Sequence, residues 1–159
     1  MTDADRSTLI RQYATGTTRL KSAIANVPLQ AVRWRSAPGK WTVHEIVLHC
    51  ADSEVNAHMR LRYLLAERQG QIVGYDQDRW AQVLDYHELP LEPALHAIAA
   101  VRANTVPVLE RLTGADWEKA GHHTDYGAYT VSQWLEIYAG HLDQHAAQIA
   151  RNVTAWQLR

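Results

Sequence analysis

Phenylalanine is absent from this chain, and cysteine occurs once among 159 residues. With Cys50 alone, no internal disulfide can form, which is compatible with a reducing cytoplasm. Charge of either sign is not in excess: the formal net charge is -1, so no basic field supports nucleic-acid binding. Long apolar runs are missing too, because Arg, Glu, Asp or His interrupts each one before it reaches the span a bilayer requires. The opening MTDADRSTLIRQ lacks the basic, then apolar, then small-residue order of a secretory signal, so the expectation is a cytoplasmic protein without a membrane anchor.

What remains is ordinary for a folded chain: 47% apolar and 21% charged residues. The length suits one domain, residues 1–159, with its own core. Nine histidines are many, and the six Trp and seven Tyr give nearly every aromatic a polar handle. Such residues can line a pocket or simply fill a core.

Apolar positions recur at helical spacing from about residue 5 to Val27 (Leu9, Ile10, Tyr13, Leu20, Ile24), and Pro28 follows where a helix stops. A surface connection to Lys40 leads to Trp41. Thr42 and Glu45 then form a capping-box pattern opening a second helix, whose apolar face runs from Val43 and Ile46 to Leu65 before Gly70. Residues 70–93 read as a long crossover containing a short helix at 76–84. Leu95 to Leu112 mark a third helix, with Pro107 expected to kink it. After a turn-rich stretch at 115–128, Thr130 and Gln133 open a fourth helix through Leu135, Tyr138, Leu142 and Ile149 toward Asn152. No window of useful length alternates like a strand. The expected fold class is all-α, a four-helix bundle with a long crossover between helices two and three.

His141 and His145 stand four apart, on one helical face and about 6 Å from each other, so two imidazoles can aim at one point. They border the arc of Trp134, Leu135, Tyr138 and Ile149. His49 lies at a similar boundary on the second helix, between the apolar arc and a polar arc carrying Asp52, Asn56 and Arg60. Buried imidazoles need partners or a metal, and three of them leave open positions on a divalent ion. His44-Glu45-His49 resembles a zincin motif with one residue too many, and side chains five apart diverge by about 140°. No Glu-x-x-His occurs, so a di-iron site is disfavoured. His122 and His123 fall in a polar loop and read as solvated; His58, His87 and His96 are weaker candidates still. Cys50 reads as a small core residue. Trp134, Tyr138, Asp52, Asn56 and Arg60 are the pocket candidates. Asp52, Glu45 and Asp143 can take histidine N–H groups or serve as surface carboxylates.

Gly39-Lys40-Trp41-Thr42, the run Ile46-Val47-Leu48-His49-Cys50-Ala51-Asp52-Ser53-Glu54, Tyr75-Asp76 with Trp80-Ala81, and Tyr138-Ala139-Gly140-His141-Leu142-Asp143-Gln144-His145 resemble the DinB-like superfamily of metalloenzymes, and within it the YfiT-like branch. The resemblance covers most of the chain. It implies an up-down-down-up bundle, His49, His141 and His145 as ligands of one zinc or nickel ion, and a homodimer. It also implies transfer of a low-molecular-weight thiol of the bacillithiol type to an electrophilic substrate. On chemical grounds the same ligands suit a metal-bound thiolate or, in a metal-dependent hydrolase, a metal-bound hydroxide. A non-catalytic metal-binding bundle is the competing reading outside enzymes.

Overall fold

Thr2, Thr42 and Thr130 each precede a helix and accept the amide three residues on, while Asp5, Glu45 and Gln133 return a bond to the threonine amide. These reciprocal caps satisfy first-turn amides that a helix cannot pair internally. A computed structural model describes residues 1–68 and 70–159. Its helices are α1 (Asp3–Ala25), α2 (Val43–Ala66), α3 (Gln77–Val83), α4 (Leu91–Leu109), α5 (Gly114–Trp117), α6 (Val131–Ala139) and α7 (His141–Gln157). Among the described residues, no helix is long and apolar enough to cross a membrane.

α1 and α2 lie diagonally, and each packs on α4 and on the α6–α7 pair. Pairings along the helices fix their directions. His44 meets Leu89, Glu54 meets Arg102 and His58 meets Thr105, so α2 and α4 run parallel. Trp41 meets Asn152, Glu54 meets His141 and Ala57 meets Trp134, so α6–α7 runs against α2. Tyr13 of α1 joins Leu61, Leu64 and Leu109, whereas Leu20 joins Val43 and Ala94, which sets α1 against α2 and α4. The result is an up-down-down-up bundle. Parallel neighbours cannot share a tight turn, and this is why a long crossover carrying α3 separates α2 from α4.

Two features depart from the sequence expectation. The fourth helix is two helices, broken at Gly140. A small sheet also forms: β1 (Gln71–Ile72) pairs in parallel with β2 (Ala120–His123), which pairs antiparallel with β3 (Gly127–Thr130). Strands this short carry no readable alternation, and β1 finds its partner far along the chain. His122 and His123 therefore sit on a strand, not in a loop. Pro107 lies within α4, which ends two residues later.

The apolar core consists of two clusters, one around Tyr13, Leu61, Trp134 and Leu135, the other around Leu20, Ile46, Ile98 and Leu142. Between them lies a polar layer. Arg102 is 2% exposed and reaches the other three sides of the bundle from α4. Its Nε and Nη2 donate to the Glu54 carboxylate of α2 at 2.9 and 2.7 Å, Nη2 also donates to the Tyr138 carbonyl of α6 at 3.0 Å, and Nη1 donates to the Tyr13 carbonyl of α1. The break after α6 leaves the Tyr138 carbonyl among the last-turn acceptors without helical partners. Approach to α1 depends on Gly16, where a Cβ would stand 2.5 Å from Arg102 Nη1 and 3.3 Å from the Leu142 Cβ.

In an open helix, Gly→Ala stabilises by up to about 1 kcal/mol. Gly16→Ala is expected to do the reverse, lowering stability by about 1–3 kcal/mol through overpacking. Urea denaturation reads the outcome, and a raised midpoint contradicts the close approach.

Candidate metal centre

His141 and His145 occupy the first two turns of α7, and His49 faces them from α2. One ring nitrogen of each lies within 4.8 Å of the others, and this is the one His, Cys, Asp or Glu group of three or more among the described residues able to hold a metal ion. Ring centroids are 5.7 Å apart for His49–His141, 4.8 Å for His49–His145 and 4.7 Å for His141–His145. His49 is 2% exposed, and the other two are half-buried.

The partners of these rings fix which nitrogen faces inward. His141 Nδ1 lies 3.0 Å from Glu54 Oε1, and His145 Nδ1 lies 2.8 Å from Gln148 Oε1. A carboxylate and an amide oxygen only accept, so each Nδ1 carries the proton and each Nε2 keeps its lone pair for a ligand. His49 Nδ1 is buried without a hydrogen-bond partner. Three imidazoles, two of them with tautomers set for Nε2 ligation and the third with unmet bonding capacity, fit a divalent ion such as zinc or nickel.

Burial first, and then the neighbouring imidazoles, push the His49 imidazole down to about 3 and His145 down to about 4. Both rings are therefore neutral at pH 7, the form that ligates. Burial alone would raise the Glu54 carboxyl, but hydrogen bonds from His141 and Arg102 outweigh it and hold the group below its ordinary range. Trp41 closes one side of the triad, its ring 4.6 Å from that of His49. Asn152 of α7 holds the Trp41 carbonyl at 2.8 Å, and Trp41 Nε1 donates to Asp78 of α3 at 2.8 Å.

The remaining candidates fall elsewhere. Asp52 accepts the Tyr86 hydroxyl, Glu45 caps α2 and pairs with Arg35, and Asp143 takes Arg19 and Gln12 of α1, so none of the three orients a triad imidazole. That task falls to Glu54 and Gln148. Asn56 bonds the Asp52 carbonyl of its own helix, and Trp134 is fully buried with its Nε1 on the Ala57 carbonyl. Tyr138 does border the site, its ring 5.8 Å from His141, and its hydroxyl accepts from Arg60 at 2.9 Å. His44 is bonded to the Leu89 carbonyl, His87 to Thr42 and His58 to Thr105. His123 is buried beside Tyr126 and Tyr129, while His122 and His96 are exposed. Cys50 is fully buried in the core.

A family model for the DinB superfamily matches residues 12–149. The chain belongs to this superfamily. A protein of Oceanobacillus iheyensis named "Putative metal-dependent hydrolase" is 32% identical over 130 residues, 82% of this chain and 75% of that protein. A relative of the same name from Bacillus mycoides is 31% identical over 111 residues, 70% of this chain and 64% of its own length. The solved structure of YfiT from Bacillus subtilis, described as "a probable metal-dependent hydrolase with an unusual four-helix bundle topology", superposes with a TM-score of 0.88 at 23% identity. That match covers 96% of this chain and 87% of YfiT. It establishes the bundle topology.

Two measurements test the site. Glu54→Gln strips the charge that compensates Arg102 and weakens the hold on His141. Zinc affinity is expected to fall by about 10–100-fold, and stability by about 3–5 kcal/mol; unchanged zinc affinity contradicts the role of Glu54. In metal-free protein, His49 and His145 stay neutral in the fold but take protons near pH 6.5 when unfolded, so the unfolded state binds more protons below that pH. Stability is therefore fully present above pH 6.5 and is lost as pH falls toward 4, by up to about 1.4 kcal/mol per pH unit for each ring. A thermal midpoint that stays flat between pH 7 and 4.5 contradicts this.

Proposed function

We propose that this protein is a divalent-metal-dependent enzyme in which His49, His141 and His145 present one zinc or nickel ion to a small-molecule thiol, for transfer of that thiol to an electrophile. The reading is carried by the convergence of the three imidazoles, two of them oriented by acceptor-only partners. An ion held this way lowers the pKa of a thiol or water that reaches its open side. Trp41 packs against the His49 ring. Glu54 holds the proton of His141 on Nδ1, and Arg102 keeps Glu54 ionised within the core.

Among the described residues, the lack of a free carboxylate at the triad weighs against hydrolysis that relies on a general base, but not against a metal-bound hydroxide. Glu54, the carboxylate in contact with the triad, is fully buried behind His141 and bonded twice to Arg102, so it is not free to take a proton from an attacking water. A thiol, with an ordinary pKa near 8.5, needs no such base once it meets a divalent ion. Hydrolysis is the second reading, favoured by the names of the Oceanobacillus and Bacillus relatives. A homodimer in the cytoplasm completes the proposal.

Untagged protein, loaded with zinc, is assayed for conjugation of bacillithiol to monobromobimane and, separately, for ester hydrolysis without thiol. The expected result is about one zinc per chain with metal-dependent conjugation, and loss of both zinc and conjugation in His49→Ala and His145→Ala variants that remain folded. Hydrolysis without thiol requirement transfers the assignment to the hydrolase reading. Variants that unfold on losing zinc, with no turnover in the wild type, make the site structural.

A further inference from the structure

Arg60 is a half-buried guanidinium whose surroundings contrast with those of Arg102. Arg102 has its charge cancelled by Glu54. Arg60 is half-buried, yet no carboxylate lies within salt-bridge distance of it among the described residues; its partners are two neutral oxygens, the Tyr138 hydroxyl and the Val73 carbonyl, each at 2.9 Å. The Tyr75 ring lies 5.8 Å from the same guanidinium, and the buried Tyr75 hydroxyl has no hydrogen-bond partner at ordinary distance. The nearby carboxylate, Asp52, accepts the Tyr86 hydroxyl instead. A partly desolvated cation and an unpaired phenol donor together lack one thing, an anionic acceptor.

Position ties these groups to the metal centre. His49, Ser53, Asn56 and Arg60 follow one another by four, three and four residues, so they form a single stripe on α2, roughly 16 Å long at the helical rise. Arg60 reaches the Tyr138 hydroxyl, and the Tyr138 ring lies 5.8 Å from His141. One aromatic side chain therefore separates the guanidinium from the triad.

We propose that Arg60 and the Tyr75 hydroxyl form an anion subsite that receives a carboxylate of the thiol substrate while its sulfur is directed to the three-histidine centre. This rests on the metal–thiol reading above and adds the substrate's second recognition element. A planar guanidinium fork matches a carboxylate with paired hydrogen bonds, which the point charge of lysine does not reproduce.

The test uses cobalt(II)-loaded protein, in which sulfur ligation gives a near-ultraviolet charge-transfer band, titrated with N-acetylcysteine and with N-acetylcysteamine, its analogue without the carboxylate. Wild type is expected to bind N-acetylcysteine about ten-fold more tightly. Arg60→Met should bring the two thiols to within about two-fold while cobalt content and N-acetylcysteamine affinity hold; Tyr75→Phe and Arg60→Lys should each remove part of the preference. Equal affinities in the wild type, or a preference that survives both Arg60 variants, overturns the subsite alone. No cobalt uptake, or no band with either thiol, overturns the metal–thiol reading and the subsite with it.

Discussion

At the centre of the bundle the carboxylate of Glu54 meets the Arg102 guanidinium on one side and the His141 imidazole on the other, with all three groups drawn away from water. Removing two opposite charges from solvent costs several kcal/mol for each ion, and the attraction repays this only when geometry is good and the remaining N–H groups are met. Here the pairing has two contacts, and backbone carbonyls of α1 and α6 take further guanidinium protons. The Tyr13 ring adds a cation–π contact, with the guanidinium carbon 4.0 Å from its centroid. Because these partners come from every side of the bundle, shifts that move one helix against the others break a buried charge contact. The same carboxylate fixes His141, so the packing of the core and the aim of a ligand depend on one residue.

Several other features of the fold follow from that layer. Gly16 admits the guanidinium against α1, and the interruption at Gly140 ends α6 where the Tyr138 carbonyl is needed and starts α7 with His141. The apolar clusters above and below hold the layer dry. On the side facing the crossover the site is polar: Trp41 lies over His49, and Tyr75, Tyr138 and Arg60 continue the wall. The molecule thus has a rigid rear face of the triad, made by Glu54 and Gln148, and a front face lined with donors.

Much of this was legible in the sequence. Capping boxes at Thr42 and Thr130, apolar periodicity and the i, i+4 pair His141 and His145 locate the long helices and bring the three histidines to one level. Glu54 belongs to no ligand motif, yet it carries a signal: it occupies the stripe of Cys50, Ala57 and Leu61, where a charge has no place unless it is paired. Arg102 carries the matching signal between Ile98 and Leu109. Neither names the other, since the pairing spans 48 residues and two helices. The sheet was illegible for a different reason. Ala120-Gly-His-His has neither β-branched residues nor alternation, and its pairing with Gln71 and Ile72 is set by tertiary packing. Asp52, Glu45 and Asp143 were plausible partners for the histidines by proximity in sequence, but helical geometry turns them toward Tyr86, Arg35 and Arg19.

The proposed metal centre requires three imidazoles on one divalent ion, with part of its coordination left open. X-ray absorption spectroscopy at the zinc edge of the loaded protein tests it most directly. The expected spectrum shows three imidazole nitrogens at roughly 2.0–2.1 Å with at least one exchangeable oxygen, which a sulfur scatterer at about 2.3 Å replaces when thiol is added. Fewer than three imidazoles, or a closed shell of four protein ligands that added thiol leaves unchanged, contradicts it.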